Sequence, residues 1–363
     1  MILSWHAQSN FGVMTVKQRR NIFWILPLIG IVLSICFRQD VAQAVSTGLE
    51  QCIHCVIPAL FPFFILSNLL TGSTFPELLA RRCGAWMARL HLPSAGAAAM
   101  VLGFLGGYPI GSAAAVQLYL DGAVTKQDAE RLLAACNNTG PAIFFGLAGG
   151  LLFPDPIVTL SLYLIHILSA FISTLVLFTG CIQSTAMPTV CRRREICLSD
   201  AIWRSAVSCG KICGFVVAFG IVIKLLFRLF PTLPPLTKAV ISCFLDLPNG
   251  LTVLQSVDEP ALQFILCSMG INWAGLCVHM QTKAVTNSTG LSLTLHLRYK
   301  ALQGLLGGIL STAVICFVQG RYLHGTLLCG IIFMIVKTRV AFTNKSRYNK
   351  KKWGDDFAVP KKH

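Results

Sequence analysis

The sequence predicts an all-α polytopic membrane protein, with about eight spanning helices and two re-entrant helical hairpins arranged as an inverted repeat. Three observations support this fold class. Of the 363 residues, 55% are hydrophobic and 12% are charged, whereas soluble domains carry about 25% charged residues. Eight apolar runs are close to the roughly 20 residues that a spanning helix needs. Two further apolar stretches are interrupted by glycine and proline, which disfavour a plain helix.

The predicted spanning helices follow one another from the first apolar run to the basic tail. They lie at residues 21–38, 53–71, 137–153, 157–182, 207–230, 260–281, 301–318 and 321–336. Residues 41–52 and 76–91 are amphipathic instead. The second of these segments places Arg81, Arg82 and Arg89 among apolar side chains, as expected of a helix that lies in the membrane interface.

The two interrupted stretches are the predicted hairpins. Residues 95–120 contain GFLGGYPIG at 103–111, and residues 236–255 contain DLPNG at 246–250. Glycine and proline free backbone polar groups, and a membrane tolerates such groups only against protein or a wet cavity. We therefore expect each stretch to enter the membrane and return on the same side.

The distribution of basic residues predicts that both termini are cytoplasmic. With the N-terminus inside and eight spans, all but five of the 30 Lys and Arg fall on the inner side, as the positive-inside rule requires. The five outer residues are Arg38, Lys224, Arg228, Lys238 and Arg321. In this topology the two hairpins enter from opposite sides, and each precedes a broken helix with polar residues, at 136–146 and at 268–281. Such a pattern is typical of inverted-repeat transporters.

Enzyme and redox functions have little support in the sequence. No Ser-His-Asp pattern, HExxH motif or P-loop lysine occurs, and GFLGGYPIG lacks the features of a nucleotide-binding loop. The 15 cysteines are scattered through apolar segments, where a small buried hydrophobe is the expected role. We expect no enzyme activity, no cofactor, no metal and no nucleic-acid partner.

The first candidate site combines the first hairpin tip with the helix that follows it. The tip residues are Gly106, Gly107, Tyr108 and Pro109, and the helix contains Asn137, Asn138, Thr139 and Gly140 before Pro141. One interpretation is helix capping, since Asn and Thr cap well. The other is a half-helix that begins inside the membrane and directs its N–H groups and positive dipole at an anion.

The second candidate site uses the second hairpin and its following helix. Asp246 stands beside Asn249 and Gly250, and Asn272 lies in the next helix. Asp246 is either a surface cap or an intramembrane carboxylate that takes a proton, a sodium ion or a substrate hydrogen bond. His279 and Gln281 lie near the inner end of that helix, where solvation alone explains them.

Several of these segments resemble one bacterial family. The residues VIPALFPFFILSNLL at 56–70, GFLGGYPIG at 103–111, TKQDAERLLAACNNTGPAIFFG at 125–146 and GLCVHMQ at 275–281 are similar to the YlbJ family of sporulation integral membrane proteins. That family is also called stage V sporulation protein V and contains nucleoside-recognition gate domains. Asp246 stands where the family often has Glu.

The resemblance implies a nucleoside-transporter-like arrangement and a domain division. The segments are a cytoplasmic N-terminus (1–20), N-terminal helices with the interfacial helix (21–91), a first gate-like repeat (92–182), a basic cytoplasmic loop (183–206), a second gate-like repeat (207–336) and a basic cytoplasmic tail (337–363).

The resemblance also implies a function and a location. The protein would move dipicolinic acid, a small anion, across the outer forespore membrane from the mother cell. Alternatives are a nucleoside or nucleobase transporter and a non-transporting forespore membrane scaffold. The expected partners are the anionic substrate and membrane lipid, and a coupling ion (H⁺ or Na⁺) and a homo-oligomer are left open.

Overall fold

The computed structural model describes the backbone of residues 16–180 and 196–356, and every regular element in these ranges is a helix. The residues outside them include most of the predicted basic loop 183–206, the start of the N-terminal segment 1–20 and the end of the tail 337–363. Predictions about those residues lie outside the described part of the chain.

The described residues 16–180 contain nine α-helices. Short π-helical segments continue α2 at Cys52–Val56 and precede α8 at Ala142–Ala148. The helices are α1 (Val16–Cys36), α2 (Arg38–Gln51), α3 (Ile57–Thr71), α4 (Phe75–Arg89), α5 (Ala97–Gly106), α6 (Ile110–Leu120), α7 (Lys126–Cys136), α8 (Gly149–Leu151) and α9 (Pro156–Phe178).

The second half of the described chain contains seven helices. They are α10 (Leu198–Leu229), α11 (Pro235–Leu245), α12 (Leu247–Leu254), α13 (Pro260–Trp273), α14 (Gly275–Thr286), α15 (Thr294–Val318) and α16 (Tyr322–Asp356).

Five helical runs of the described chain are long and apolar enough to cross a membrane, or six if the bent pair 75–89 and 94–106 is one span. The five are Arg38–Thr71, Pro156–Phe178, Leu198–Leu229, Pro260–Thr286 and Thr294–Val318. Large apolar side chains are exposed on these helices, as with Leu164 at 57% and Val222 at 52%. Because lipid rather than water suits such surfaces, the chain is a multi-pass membrane protein.

Two of the predicted elements are wrong in their bounds. The expected span 137–153 is not continuous, because residues 137–141 leave the helix and Ala142–Leu151 alone is too short to cross. Residues 41–52 and 53–71 are not separate, because the π-helical turn between them continues the helix from Arg38 to Thr71.

The predicted boundary at residue 301 is also wrong. Helix α15 begins at Thr294 and so includes Arg298 and Lys300, which the charge pattern placed in a cytoplasmic loop. Arg298 is exposed, but Lys300 is fully buried among the neighbouring helices. A basic residue near a helix end is therefore not always a solvated one.

The same order of elements occurs twice along the chain. In each half a pair of short helices joined at a tip is followed by a broken helix and then by a long helix; a long helix comes before each pair, with α4 between them in the first half. The pairs are α5–α6 and α11–α12, and the breaks fall at residues 137–141 and at Ala274. The predicted interruptions at 103–111 and 246–250 thus become the joints of two helix pairs.

The two halves pack on each other through helices α9 and α15. The hydroxyl of Tyr299 on α15 donates to the carbonyl oxygen of Ala170 on α9 and lies 3.0 Å from Oγ1 of Thr174. The small residues Gly304, Gly307 and Gly308 of α15 instead lie against Met269, Asn272 and Trp273 of α13, which lets these two helix backbones approach closely.

Candidate functional site

The first hairpin tip lies directly against the first helix break. Gly107 has a φ of 75°, a left-handed conformation that favours glycine. A Cβ added to Gly107 would lie 2.9 Å from the amide nitrogen of Gly140, which is closer than side-chain carbons approach backbone. Cβ atoms added to Gly103 or Gly111 would overlap the carbonyl oxygen of Cys136. The glycines therefore allow α5 and α6 to touch the end of α7.

The first tip also contacts the second helix break. Tyr108 is 5% exposed and packs with Ala274 and Val278. Ala274 has a φ of 74°, so the helix is interrupted between α13 and α14 at this contact. The Tyr108 hydroxyl is buried and has no hydrogen-bond partner among the residues that the structure describes. A residue of the first hairpin therefore brings an unpaired polar atom to the second half of the chain.

The second hairpin tip lies against the second helix break. Asp246 is 1% exposed and caps α12, because its Oδ2 accepts hydrogen bonds from the backbone N and the Nδ2 of Asn249 at 3.1 and 2.6 Å. A Cβ added to Gly275 would lie 3.1 Å from the amide nitrogen of Leu247. Asp246 is thus a cap, as one interpretation predicted, but a buried one rather than a surface one.

One oxygen of Asp246 is left without a hydrogen bond. Oδ1 is buried with no partner of good geometry, and the Cys277 thiol at the start of α14 is its polar neighbour. Tyr108 is also close enough for an electrostatic interaction with this carboxyl. The two tips therefore present a carboxyl and a hydroxyl to the same junction.

Two residues of the first break bind the second half of the chain. Asn137 donates from Nδ2 to Oγ1 of Thr282 at 2.9 Å, and Thr139 donates from Oγ1 to the carbonyl oxygen of Ile271 at 3.1 Å. Neither side chain caps the helical segment that begins at Ala142. The capping interpretation of these residues is therefore wrong, and they join the first break to α13 and α14.

Asn272 is the centre of a buried polar network. Its Oδ1 accepts hydrogen bonds from Nδ1 of His166 at 2.8 Å and from Oγ of Ser169 at 2.7 Å. The other ring nitrogen of His166 accepts from the backbone N–H of Thr139 at 3.2 Å. Both contacts are satisfied by a neutral imidazole with its proton on Nδ1. The network links the first break to α9 and α13.

Lys300 extends this network from α15. Its Nζ donates to Oε1 of Gln303 at 2.8 Å and to Oδ1 of Asn138 at 3.4 Å. Gln303 in turn approaches Nδ1 of His166 at 3.4 Å. Lys300 is 0% exposed. A basic side chain therefore lies beside the first break, within the packed interior.

The remaining predicted residues pack the two hairpins against neighbouring elements. Asn249 is bound to α10 through the carbonyl oxygen of Val216 at 3.0 Å, and a Cβ on Gly250 would come within 2.5 Å of the Cα of Cys243. Gly106 lies against Ser67 of α3. Pro109 accepts a hydrogen bond from Ser112. These residues shape the two hairpins.

The structure also changes the interpretation of the inner end of α14. His279 and Gln281 are 4% and 7% exposed, so they are not solvated. Nδ1 of His279 lies 3.2 Å from Nε2 of His296, and its ring packs edge-on against Trp273 at 4.4 Å between centroids.

One relative has a name that states its biological process and its membrane location. The chain is similar to the sporulation integral membrane protein YlbJ of Bacillus subtilis (strain 168). The two sequences are 22% identical over 308 residues, a match that covers 74% of this chain and 76% of the relative. No protein-family profile matches the sequence, and no solved structure matches the fold.

Sequence reasoning missed the buried residues that the long helices contribute. His166 is a single histidine in the apolar helix LYLIHILSAF, and Lys300 begins a series of polar or small residues at positions 300, 303, 304, 307 and 308. That spacing puts one face of a helix against another helix. It was a usable signal that α15 starts before residue 301 and that Lys300 belongs to the interior.

Proposed function

We propose that this protein is a sporulation membrane transporter that moves dipicolinic acid, a small anion, across the outer forespore membrane. The observation that carries the proposal is the meeting of both hairpin tips with both helix breaks. Gly107 adjoins Gly140, Gly275 adjoins the Asp246–Leu247 tip, and Tyr108 packs on Ala274. In transporters with inverted repeats, substrates bind where interrupted helices of the two halves meet.

The similarity to the sporulation integral membrane protein supports the biological setting of the proposal. The repeated order of long helix, helix pair, broken helix and long helix supports the transport class. Two matching halves that pack through α9 and α15 can rock against each other and expose a central site to either side of the membrane in turn.

The polar groups at the junction suit a dicarboxylate. Dipicolinate is a small planar dianion at neutral pH, and its carboxylate oxygens accept hydrogen bonds. The Tyr108 hydroxyl is a donor without a partner among the described residues. The amides of Asn137 and Asn138 donate to Thr282 and Ala135 in this structure, and a substrate carboxylate would replace these acceptors. Amides bind a carboxylate and remain neutral when the site is empty, so the substrate is released without leaving new charges behind.

Uptake of labelled dipicolinate into proteoliposomes tests the proposal. We expect saturable uptake by the full chain that excess uridine does not reduce. Asn138→Ala should abolish it, because this change removes the amide that joins Ala135 and Lys300. Asn287→Ala is the matched control, since Asn287 is exposed at the end of α14.

Each other outcome favours a different function. Uptake of uridine without uptake of dipicolinate would indicate a nucleoside or nucleobase transporter. Normal sporulation with both Asn138→Ala and Asp246→Ala at wild-type protein levels, together with no uptake of either compound, would indicate a scaffold. Either result would contradict the proposed function.

A further inference from the structure

We propose that Lys300 is the positively charged group that binds one carboxylate of the transported anion. This inference rests on the proposed function in one respect, namely that the cargo is a small carboxylate. It adds a residue, a charge and a hydrogen-bonding geometry that the tips and breaks alone do not supply.

The first step of the argument is that Lys300 is buried without a counter-charge. The ion pairs of the described residues use Arg131, Lys224 and Arg228, and no Asp or Glu in that part of the chain lies within 4.0 Å of Lys300 Nζ. Removing an ion from water costs several kcal/mol unless an opposite charge or several hydrogen bonds offset it. Burial therefore favours the neutral amine when no anion is bound, and a bound anion would provide the opposite charge that favours the ammonium form.

The second step is that the ammonium group keeps a free donor. A lysine ammonium has three N–H donors. Two of them face the carboxamide oxygens of Gln303 and Asn138, at 2.8 and 3.4 Å. Both partners are neutral, and the longer contact is a weak one. The third donor has no partner among the described residues, so a carboxylate oxygen can accept it and strengthen the arrangement by charge.

The third step is the position of Lys300 relative to the two halves. Asn138 belongs to the first helix break, and Gln303 approaches His166, which binds Asn272 of α13. An anion bound to Lys300 would therefore affect the hydrogen bonds of the first break, of α9 and of α13. Through these contacts, binding of the cargo can be coupled to the rearrangement of the two halves.

The chemistry of Lys300 favours a carboxylate over a neutral cargo. A nucleoside has no negative charge to pair with a buried ammonium, and sugar hydroxyls would leave that charge uncompensated. A lysine acts as a compact point charge rather than as a planar fork, so it suits one carboxylate that must later be released. The inferred ligand class is thus a small mono- or dicarboxylate.

The test compares binding of dipicolinate with binding of its uncharged analogue, pyridine-2,6-dicarboxamide, to the purified full-length protein in lipid nanodiscs. Affinity is measured by isothermal titration calorimetry. We expect the wild type to bind dipicolinate at least tenfold more tightly than the diamide, a difference of about 1.4 kcal/mol.

Two variants distinguish a specific effect of Lys300 on binding from a general effect of the protein's net charge. Lys300→Gln should lower the affinity for dipicolinate at least tenfold and remove the preference over the diamide. Lys283→Gln is the matched control, because it deletes the same charge at an exposed position on α14, close to the start of α15. It should bind dipicolinate as the wild type does.

The outcomes that overturn the inference are distinct from those that overturn dipicolinate as the cargo. Equal affinity of the wild type for dipicolinate and diamide, or normal binding by Lys300→Gln, would overturn the role of Lys300. If the wild type does not bind dipicolinate, the same titrations are run with benzoate, isophthalate and succinate. Binding of one of these that depends on Lys300 would keep the inference and replace the cargo. Binding of none would overturn both.

The design remains decisive if Lys300→Gln does not fold. In that case the preference of the wild type for a carboxylate over its amide analogue decides whether a positive group binds the cargo. Lys300→Met then identifies the group, because methionine keeps a long apolar side chain at this buried position and removes the amino group. It should bind dipicolinate no more tightly than the diamide, and a preference equal to that of the wild type would overturn the inference.

Discussion

At the scale of single residues, Asn272 makes the contacts on which the buried network depends. It accepts from His166 and Ser169 and donates to the carbonyl oxygen of Ser268 at 2.8 Å. A Cβ on Gly307 would overlap its amide nitrogen, so α15 is shaped to make room for it. A polar residue so placed contributes to stability through the partners that it satisfies.

The variant Asn272→Ala tests this role. It leaves His166 Nδ1 without its acceptor and removes one of the two acceptors of Ser169. A buried polar atom without its partner costs about 1–3 kcal/mol, so we expect a lower unfolding temperature in detergent. The control is Asn287→Ala, which changes an exposed amide. Equal unfolding temperatures of the two variants would contradict the importance of the network.

Gly103 illustrates a residue whose small size sets the packing of a helix pair. An added Cβ would overlap the carbonyl oxygen of Cys136, which belongs to a neighbouring helix and not to a flexible side chain. We expect Gly103→Ala to destabilise the protein by about 1–3 kcal/mol through overpacking. Gly210→Ala is its control, because nothing lies within 4 Å of a Cβ at that helical position.

The measurement for this pair is thermal unfolding in the same detergent. Alanine favours a helix over glycine by up to about 1 kcal/mol, so Gly210→Ala should be neutral or slightly stabilising. If Gly103→Ala were also neutral, α5 would not lie as close to the end of α7 as the structure places it.

At the scale of elements, Asp246 connects a helix cap with the second tip. It caps α12 in the way that Asp155 caps α9, where Oδ1 of Asp155 accepts from the backbone N of Ile157 at 2.8 Å. Loss of a capping side chain costs about 1 kcal/mol in each case. The two residues differ in burial, because Asp155 is exposed and Asp246 is not.

This difference leads to a prediction about transport. We expect Asp155→Ala and Asp246→Ala to lose similar stability, and only Asp246→Ala to lose uptake of dipicolinate in proteoliposomes. Asp246→Asn should keep the cap through its remaining carbonyl oxygen. If it keeps uptake but loses dependence on a proton or sodium gradient, Asp246 carries the coupling ion. Full, gradient-driven uptake by Asp246→Ala would show that the carboxyl has no function in transport.

The sequence was sufficient to predict the elements that glycine and proline define. The two interrupted stretches at 95–120 and 236–255 became helix pairs, and the broken helix expected at 137–141 is interrupted there, because glycine and proline disfavour a continuous helix. Apolar length gave eight spans where the described chain has five or six, and it separated 41–52 from 53–71. Apolar composition continues through both segments, so composition alone does not show where a backbone bends.

The candidate site was predictable only in part, for a related reason. Residues that stand out against apolar neighbours, such as Tyr108, Asn138 and Asp246, were identified. Lys300 was assigned to a loop because basic residues usually mark helix ends, although in the fold it is enclosed by helices from both halves. Which charges are buried depends on how distant segments pack, and that information is not local in the sequence.

At the scale of the whole molecule, the arrangement of the two halves depends on their orientation in the membrane. The predicted topology places the end of α9 and the start of α15 on the inner side, with the basic loop and tail. In that topology the broken helices 126–151 and 260–286 cross the membrane in opposite directions, and each starts on the side from which its hairpin enters. Opposite entry of the two hairpins is what an inverted repeat requires.

Topology mapping tests this arrangement directly. We expect a reporter at the C-terminus, and another inserted at residues 287–293 between α14 and α15, to be cytoplasmic. A reporter at residues 231–234 between α10 and α11 should lie on the outer side. The physical reason is the excess of Lys and Arg in the loops assigned to the inside. The measurement is the activity of green fluorescent protein and alkaline phosphatase fusions, which are active on opposite sides.

The possible results discriminate between inverted and parallel repeats. If the 231–234 and 287–293 positions report the same side, the broken helix 260–286 does not cross. The second half would then not mirror the first, and a central site between the two breaks would lose its basis. If all three positions report the reversed sides, the inverted repeat is still supported. The five basic residues assigned to the outer side would then lie on the inner side, and the cargo would enter the protein from the opposite side of the membrane.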